Sequence, residues 1–404
     1  MSEPAPVAEG RRIKSLDVVR GLALLGILAV NAAYFAAPMQ AAQNPSLAPI
    51  AIDDGSAWSW FVMHVFFEFK MITLFSMLFG ASIYMIGGER SDKERGAVLR
   101  RRLGWLVLIG ALHGALIWYG DILLTYALTG LLVMLARSWR ERTLMIVGVI
   151  LFLLSVAVMW GLGAMLSMAP TEALEEVRAE MWAPSAEEIA RIVAAYQGGL
   201  VTATSENFRL WTEFLTFIPI MMLRTAGVMM IGMALFKWGF FSGNARIGIY
   251  LAVAAIGALA LAAVARQAQL NAELNFDFVH MMSVGMNLNG LLSPFISLLY
   301  ASVLILLVKA GALKFLTDAL AAVGRMAFTN YLMQSIIMTT IFYGGRGLGL
   351  YGEFDRVSLW GVVVAIWVLQ LIWSPLWLSK YQMGPFEWAW RRLSYGRPLA
   401  IAKA

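Results

Sequence analysis

Hydrophobic side chains recur along this chain in long runs, each close to the length that crosses a lipid bilayer. A spanning helix needs about 20 mainly apolar residues, because it rises about 1.5 Å per residue and the hydrocarbon core is about 30 Å thick. Ten runs meet this requirement: 18–38, 59–87, 103–119, 120–136, 143–167, 212–236, 247–266, 285–308, 318–343 and 357–378. The pattern predicts an all-α, polytopic integral membrane bundle of about ten transmembrane helices, with residues 1–404 forming a single transmembrane domain.

The composition excludes a soluble protein. Of the 404 residues, 60% are hydrophobic and 14% are charged, whereas soluble domains have roughly 45–50% and about 25%. A soluble domain of this size would need far more charged side chains on its surface. The lipid bilayer is therefore an expected partner, and we expect no nucleic-acid partner.

Lys and Arg are concentrated in alternate connections between the hydrophobic runs. They occupy the N-terminus, residues 90–102, 137–142, 237–246 and 309–314, and the tail over residues 379–404. Because basic residues mark the cytoplasmic side of a membrane protein, this alternation predicts a multi-pass protein of the bacterial inner (plasma) membrane. Both termini, including the tail, are then cytoplasmic.

One connection on the opposite, acidic side is long. It spans residues 168–210 and carries six glutamates between residues 172 and 188. Ser185 and Glu188 have the spacing of a capping box, and the apolar residues that follow recur at helical spacing. We expect an amphipathic helical insertion on the outer face, which serves as a connector or as a lid over a cavity mouth.

Several predicted spans carry ionisable side chains at membrane depth, where such groups cost several kcal/mol and usually face the interior of the bundle. They are Arg20, His64, Glu68, Lys70, His113, Arg224 and Arg325. His64 and Glu68 are four residues apart and share a helix face, so they can form a hydrogen-bonded pair. The charged residues are candidates for substrate binding; alternatively, they pair with charges on other helices and only hold the bundle together.

His113 lies about 16 Å from the basic end of its predicted span, at the same depth as Asn31 in the first span. Gly110 and Gly114 flank it, and Asp121 follows in a short turn. A carboxylate can orient an imidazole and raise its basicity, which is the minimal unit for activating a hydroxyl or an amine. His113 and Asp121 are thus candidate catalytic residues, unless His113 is a satisfied histidine in a helix-packing seam.

The chain has no cysteine and three histidines. The lack of cysteine excludes disulfides, thiolate catalysis and thiol metal sites. No close group of metal-ligating residues is visible in the sequence, so we expect no metal cofactor.

Separated motifs follow one another in the order found in a known family. They are the segments 16–21, 30–31, 70–80, 113–123, 195–199, 324–332 and 384–388. With these motifs the chain resembles the YeiB-type transmembrane family over nearly its whole length. That family is grouped with transmembrane acyltransferases, including the acyltransferase-3 proteins and heparan-alpha-glucosaminide N-acetyltransferase, so the resemblance implies acyl transfer from cytoplasmic acyl-CoA to an acceptor on the far side.

The chain departs from the acyltransferase-3 pattern at one informative position. Those proteins carry an Arg-x10-His pattern on the first helix, whereas here Arg20 leads at that spacing to Asn31. The lysosomal enzyme is similar to this chain in having Arg and then Asn, but the histidine of its following loop has no counterpart, because Ala42 stands near that place. His113 is therefore the best-placed residue to act as base or acyl carrier.

The resemblance also implies roles for other residues. Asn31 would donate a hydrogen bond to the thioester oxygen, and Arg20 and Arg102, with the neighbouring Arg100 and Arg101, would bind the phosphates of acetyl-CoA or another acyl-CoA. For the arginine triplet, a purely topology-setting role is the alternative. The acceptor would be an extracytoplasmic glycan, lipid or secondary metabolite.

A different class of function is also compatible with the sequence. In a transporter or flippase for a small molecule or a lipid-linked substrate, the charged residues at membrane depth would line the substrate path. The sequence leaves the assembly open, and a homo-oligomer is one of the states it allows.

Overall fold

The computed structural model describes residues 12–403, and helices account for most of them. The first half contains α1 (Lys14–Ala36), α2 (Met39–Gln43), α3 (Ala57–Val62), α4 (Lys70–Gly87), α5 (Lys93–Leu116), α6 (Leu123–Val133), α7 (Glu141–Ser167), α8 (Thr171–Met181) and α9 (Ala186–Gln197). The second half contains α10 (Leu200–Leu215), α11 (Ile218–Lys237), α12 (Ile247–Glu273), α13 (Phe278–His280), α14 (Asn287–Ala310), α15 (Lys314–Arg325), α16 (Ala327–Phe342), α17 (Arg356–Lys380) and α18 (Pro385–Tyr395).

The predicted helical membrane bundle is confirmed. Seven segments of the described chain are long and apolar enough to cross a membrane, namely Lys14–Ala36, Ala57–Gly87, Glu141–Ser167, Ile218–Lys237, Ile247–Glu273, Phe278–Ala310 and Arg356–Lys380. The other three predicted spans differ for physical reasons: α5 begins with a run of charged residues, α6 and its continuation to Ala136 are short, and residues 318–343 are divided at Met326. The total of ten therefore stays a prediction.

Helix α1 is the central element of the bundle, and it packs against α4, α14, α15, α16 and α17. Its contact with α15 is a direct approach of two backbones. A Cβ atom added to Gly324 would lie 1.9 Å from the carbonyl oxygen of Asp17, and one added to Gly21 would lie 2.1 Å from that of Leu320. Only glycine permits this approach, since no side chain fits between the helices.

Helices α8, α9 and α10 occupy the long acidic connection. The predicted N-cap is present, because the Ser185 hydroxyl accepts a hydrogen bond from the Glu188 amide at 3.2 Å. The apolar face of α9 buries Tyr196, whose carbonyl accepts a hydrogen bond from the Gly344 amide at the end of α16. The connection is therefore packed onto the bundle at the end opposite the basic connections.

An ion-pair network ties α9 to α10. Glu206 accepts hydrogen bonds from Arg191 and Arg209 at 3.2 Å and 2.5 Å. Burial opposes ionisation of Glu206, but these two guanidinium groups outweigh it and hold the pKa of the carboxyl below its usual value. The network is thus stable at neutral pH and weakens only in acid, as the pH falls through that lowered pKa.

The orientation can be tested with single cysteines, because the chain has none. Glu176 in the acidic connection and Arg101 in the basic connection are both exposed. We expect a membrane-impermeant maleimide to label Glu176→Cys in intact cells and to label Arg101→Cys only after permeabilisation. The unsubstituted protein is the blank, and the reverse labelling pattern would contradict cytoplasmic termini.

The contact between α1 and α15 generates a stability prediction. We expect Gly324→Ala to lower the thermal unfolding midpoint of the detergent-solubilised protein, because overpacking of this kind costs about 1–3 kcal/mol. Gly361 on α17 is the matched control, since an added Cβ there meets no heavy atom within 4 Å. Gly361→Ala should leave the midpoint unchanged or raise it slightly, because alanine favours a helix. Equal midpoints for both variants would contradict a glycine-dependent contact.

Candidate functional site

His113 and Asp121 form a buried hydrogen-bonded pair. The Nδ1 atom of His113 lies 2.9 Å from Oδ1 of Asp121, and both side chains are about 1% exposed. The spacing of the two residues left this contact open, and the structure shows that the two side chains meet. The second carboxylate oxygen of Asp121 accepts a hydrogen bond from the Leu124 amide at 2.8 Å, so the first turn of α6 fixes the carboxylate. The carboxylate in turn fixes the ring.

Small residues allow the turn between α5 and α6 to be this tight. A Cβ atom on Gly110 would lie 2.4 Å from the Leu124 amide nitrogen, and one on Gly114 would lie 2.2 Å from the indole of Trp211. The side chain of Asn207 on α10 then accepts a hydrogen bond from the Tyr119 amide and donates to the Gly114 carbonyl. The helix that follows the acidic connection thus holds the turn that carries Asp121.

The second ring nitrogen of His113 has no protein partner in the part of the chain that the structure describes. Its Nε2 atom is buried and makes no hydrogen bond, and the ring of Tyr331 lies 5.4 Å away between centroids. Because an ionised carboxylate only accepts hydrogen bonds, we assign the proton to Nδ1. Nε2 then carries a lone pair, which is the arrangement a general base requires.

Asn31 does not join this pair. Its side chain is half-buried on α1 and makes no hydrogen bond with His113 or Asp121. The outer part of α1 does reach the same turn, since the rings of Phe35 and Trp118 stack at 4.0 Å. Asn31 therefore lies one helical turn from a residue that contacts the turn, without contacting the imidazole itself.

A second polar group lies where the second predicted span is interrupted. The chain leaves α3 through a π-helical turn over Met63–Phe67, Glu68 is extended, and Phe69 has a φ of 62° before α4 begins at Lys70. Such interruptions free backbone groups that need new partners. The Lys70 ammonium donates to the His64 carbonyl at 2.7 Å and to the Asn289 side chain. Lys70 is completely buried.

His64 and Glu68 form the predicted pair, with His64 Nδ1 and Glu68 Oε2 2.5 Å apart. Trp60 stacks on the imidazole at 4.7 Å. The pair lies beside the helix interruption and not across the bundle from another charge. Its geometry fits a hydrogen-bonded carboxylate and imidazole that stabilise the irregular backbone.

Arg224 does not neutralise Glu68, which was one of the roles expected for it. Its guanidinium donates to the Gly290 carbonyl at 2.9 Å and to the Ser293 hydroxyl at 2.8 Å, and it lies over the Phe152 ring at 4.9 Å. Within residues 12–403, no carboxylate oxygen lies within 4.0 Å of Arg224 or of Lys70. Two buried cations therefore rely on neutral acceptors, and we call this group the central polar cluster (Glu68, Lys70, Arg224, Asn289, Ser293).

Sequence reasoning missed the α14 members of this cluster. Asn289, Ser293 and Ser297 are completely buried. They are spaced four residues apart within an apolar run, which places them on one helix face. This polar stripe was the available signal.

The predicted phosphate-binding arginines lie together at the other end of the bundle, which we call the basic end. Arg20 pairs with Asp17 at 2.7 Å. Arg102 stacks on Trp390 of α18, 4.1 Å from the ring centroid, and Arg325 donates to the Gln382 carbonyl at 3.3 Å. Sequence reasoning gave α18 no part in this group.

The described part of the chain contains no group of three or more His, Cys, Asp and Glu side chains that could hold a metal ion.

Comparisons with known proteins place the chain among bacterial membrane-protein relatives. Residues 235–397 match the family described as "Protein of unknown function (DUF418)". The chain is 34% identical to "Uncharacterized protein YeiB" of Escherichia coli (strain K12) over 398 residues, which cover 94% of this chain and 95% of the relative. It is 32% identical to "Uncharacterized protein YxaH" of Bacillus subtilis (strain 168), over 100% of this chain and 99% of the relative.

The chain belongs to the YeiB family. No solved structure matches it. The DUF418 match begins near the end of α11 and ends after α18, so it includes the α14 part of the central polar cluster and Trp390. The His113–Asp121 pair lies outside that match, in the half that the YeiB and YxaH comparisons cover.

Proposed function

We propose that this YeiB-family protein is a membrane-bound acyltransferase that moves an acyl group from acyl-CoA to a hydroxyl or amine acceptor on the other side of the bilayer. The observation that supports this most is the His113–Asp121 pair. One ring nitrogen is held by a carboxylate and the other is buried without a protein partner in the described residues. This is the base-and-orienter unit that nucleophile activation needs.

The proposed reaction balances with these two residues. His113 Nε2 takes the proton of the acceptor as its oxygen or nitrogen attacks the thioester carbonyl. The carbon–sulfur bond breaks, and the imidazolium then gives that proton to the leaving coenzyme A thiolate. Asp121 stays ionised and stabilises the imidazolium while it exists.

The positions of the arginines support acyl-CoA as the donor. Arg20 and Arg102 lie at the basic end, and His113 follows Arg102 by eleven residues on α5, a rise of about 16 Å. Coenzyme A carries its phosphates and its thioester at opposite ends of an extended pantetheine arm. Phosphates at the arginines would therefore leave the thioester displaced toward the histidine.

The transferase proposal is tested by thiol release. Because the chain contains no cysteine, a thiol reagent follows free coenzyme A without background from the protein, in proteoliposomes supplied with acetyl-CoA and a panel of sugar and lipid acceptors. We expect His113→Ala to lower kcat/KM by about 100-fold or more, since general-base catalysis contributes about 10²–10⁴-fold. Asp121→Asn should cause a smaller loss.

His280→Gln is the control for a histidine outside the pair, because His280 bonds Asn271 and Gln267 near the start of the sixth candidate span. It should retain transfer. Unchanged transfer in His113→Ala, with the protein folded, would exclude the assigned role of the imidazole.

A second candidate function, transport of an anionic substrate, is favoured by one specific observation. The helix interruption at Glu68 and Phe69 lies beside Lys70, a cation buried in the bundle with no carboxylate within 4.0 Å among the described residues. Irregular backbone at membrane depth occurs where it is buried in protein or lines a cavity, and in transporters it often forms the substrate site. Lys70 and Arg224 would then bind the substrate's negative charge.

The two functions predict opposite effects of the same variants. If the protein is a transporter, Lys70→Met and Arg224→Met should each abolish uptake of isotope-labelled organic anions into proteoliposomes, whereas His113→Ala should retain it. Uptake is measured with the label recovered unmodified, so that a covalent product is detected. No uptake by the unsubstituted protein, together with coenzyme A release, would decide against transport.

A further inference from the structure

Arginine side chains from both ends of the chain converge at the basic end. Arg12 lies close enough to Arg20, Arg325 and Arg391 to interact with them electrostatically, and Arg391 is close to Arg102 in the same sense. We call these five residues the arginine cluster. They come from the segment before α1, from α1, α5 and α15, and from α18.

The carboxylates of this region do not balance the cluster. The neighbouring carboxylates are Asp17 and Glu387, so five positive charges face two negative ones. Asp17 pairs with Arg20 at 2.7 Å and reaches Arg12 at 4.0 Å. It is therefore already occupied by two guanidinium groups.

Glu387 is committed to another task. One of its oxygens accepts hydrogen bonds from the Phe328 and Thr329 amides at 2.7 Å and 3.0 Å, and the other accepts from the Thr329 hydroxyl at 2.5 Å. These bonds satisfy the first turn of α16, where a negative charge is favourable. Within the described residues, no carboxylate oxygen lies within 4.0 Å of Arg102 or Arg391.

Burial separates the cluster from charges that only set topology. The side chains of Arg12 and Arg20 are 20% and 18% exposed, and Arg102 is 8% exposed. Arg100 and Arg101, adjacent on α5, are exposed. Charges needed only for orientation have no reason to leave water, because withdrawing them costs solvation energy.

Two further observations point to a ligand. The guanidinium of Arg102 is held flat against Trp390, and the Trp390 indole donates to the Arg102 carbonyl at 2.9 Å. The Nε atom of Arg391 is buried and has no hydrogen-bond partner among the described residues. Burial, with a smaller contribution from Arg20, lowers the pKa of Arg391. A buried guanidinium with an unused donor requires an acceptor.

We propose that the arginine cluster is a binding site for the phosphate groups of a ligand, either a soluble phosphorylated compound or a phospholipid headgroup, and that α18 completes the site. Planar guanidinium forks match phosphate oxygens in pairs, and several of them together suit a ligand with more than one phosphate. The inference deepens the proposed function and rests on it for coenzyme A as the cellular ligand. The phosphate chemistry itself depends only on the cluster.

Binding of defined probes to the full-length protein tests the proposal. We would measure the affinity of the detergent-purified protein for inorganic pyrophosphate, for adenosine 3′,5′-bisphosphate and for coenzyme A. In parallel, we would measure its affinity for phosphatidylglycerol and phosphatidylcholine in mixed micelles. We expect Arg391→Gln and Arg102→Gln each to weaken binding by at least about tenfold, the effect of losing a charge-assisted hydrogen bond.

Two exposed arginines provide matched controls. Arg392 lies beside Arg391 on α18, and Arg101 lies beside Arg102 on α5; both are exposed. Arg392→Gln and Arg101→Gln remove the same charge and should leave affinity within about twofold. Arg391→Lys keeps the charge but loses the fork, and we expect it to retain part of the affinity.

Each outcome decides a separate question. Saturable binding of the soluble phosphates that depends on Arg391 supports a soluble ligand, and binding of phosphatidylglycerol alone supports a headgroup site. Equal losses in Arg391→Gln and Arg392→Gln, or no binding of any probe by a protein with native helical circular dichroism, would overturn the site. Phosphate binding without acyl transfer would leave the site standing and remove the proposed function.

Discussion

A hydrocarbon core offers no hydrogen bonds, so every polar group that this chain places at membrane depth must find its partner within the protein. This constraint explains the central polar cluster. Where the chain is interrupted between Phe67 and Lys70, the freed carbonyl of His64 accepts hydrogen bonds from Lys70 and from Asn289. Removing either donor would leave a carbonyl unsatisfied in a medium that cannot replace it. The interruption is tolerated because α14 presents the complementary groups.

The same constraint requires the helices to approach closely. Polar side chains are short compared with the usual distance between helix axes, so their hydrogen bonds form only where small residues bring the backbones together. On α4, a Cβ at Gly80 would lie 1.9 Å from the Met229 carbonyl, and on α11 one at Gly232 would lie 2.1 Å from that of Met77. This tight α4–α11 contact brings Arg224 toward α14. Packing and polar satisfaction therefore depend on each other.

The sequence predicted what depends on local spacing. Apolar run length predicted the membrane bundle, and the separation of His64 and Glu68 predicted their hydrogen bond, because both follow from the geometry of one helix. The partner of Lys70 is 219 residues away, and no local pattern identifies which helix supplies it. The contact between Arg102 and Trp390 is also long-range. For the same reason the arginine triplet could not be divided by sequence into one buried residue and two exposed ones.

Helices α1 and α5 give the two proposed binding regions a fixed relation. Both helices begin at the basic end and meet again at the other end, where Phe35 contacts Trp118. Eleven residues separate Arg20 from Asn31 on α1, and eleven separate Arg102 from His113 on α5. Each helix thus places an arginine at the basic end and a second polar residue about 16 Å further along.

Because a helix does not change its rise, the distance between a phosphate held at the arginine cluster and a group presented to His113 is set by these two helices and not by a mobile loop. Under the proposed function, the enzyme would select its donor by the length of the arm between phosphate and thioester. A shorter phosphorylated thioester would bind through the same guanidinium groups without reaching the imidazole. Phosphate recognition would supply affinity, and the helix spacing would supply specificity.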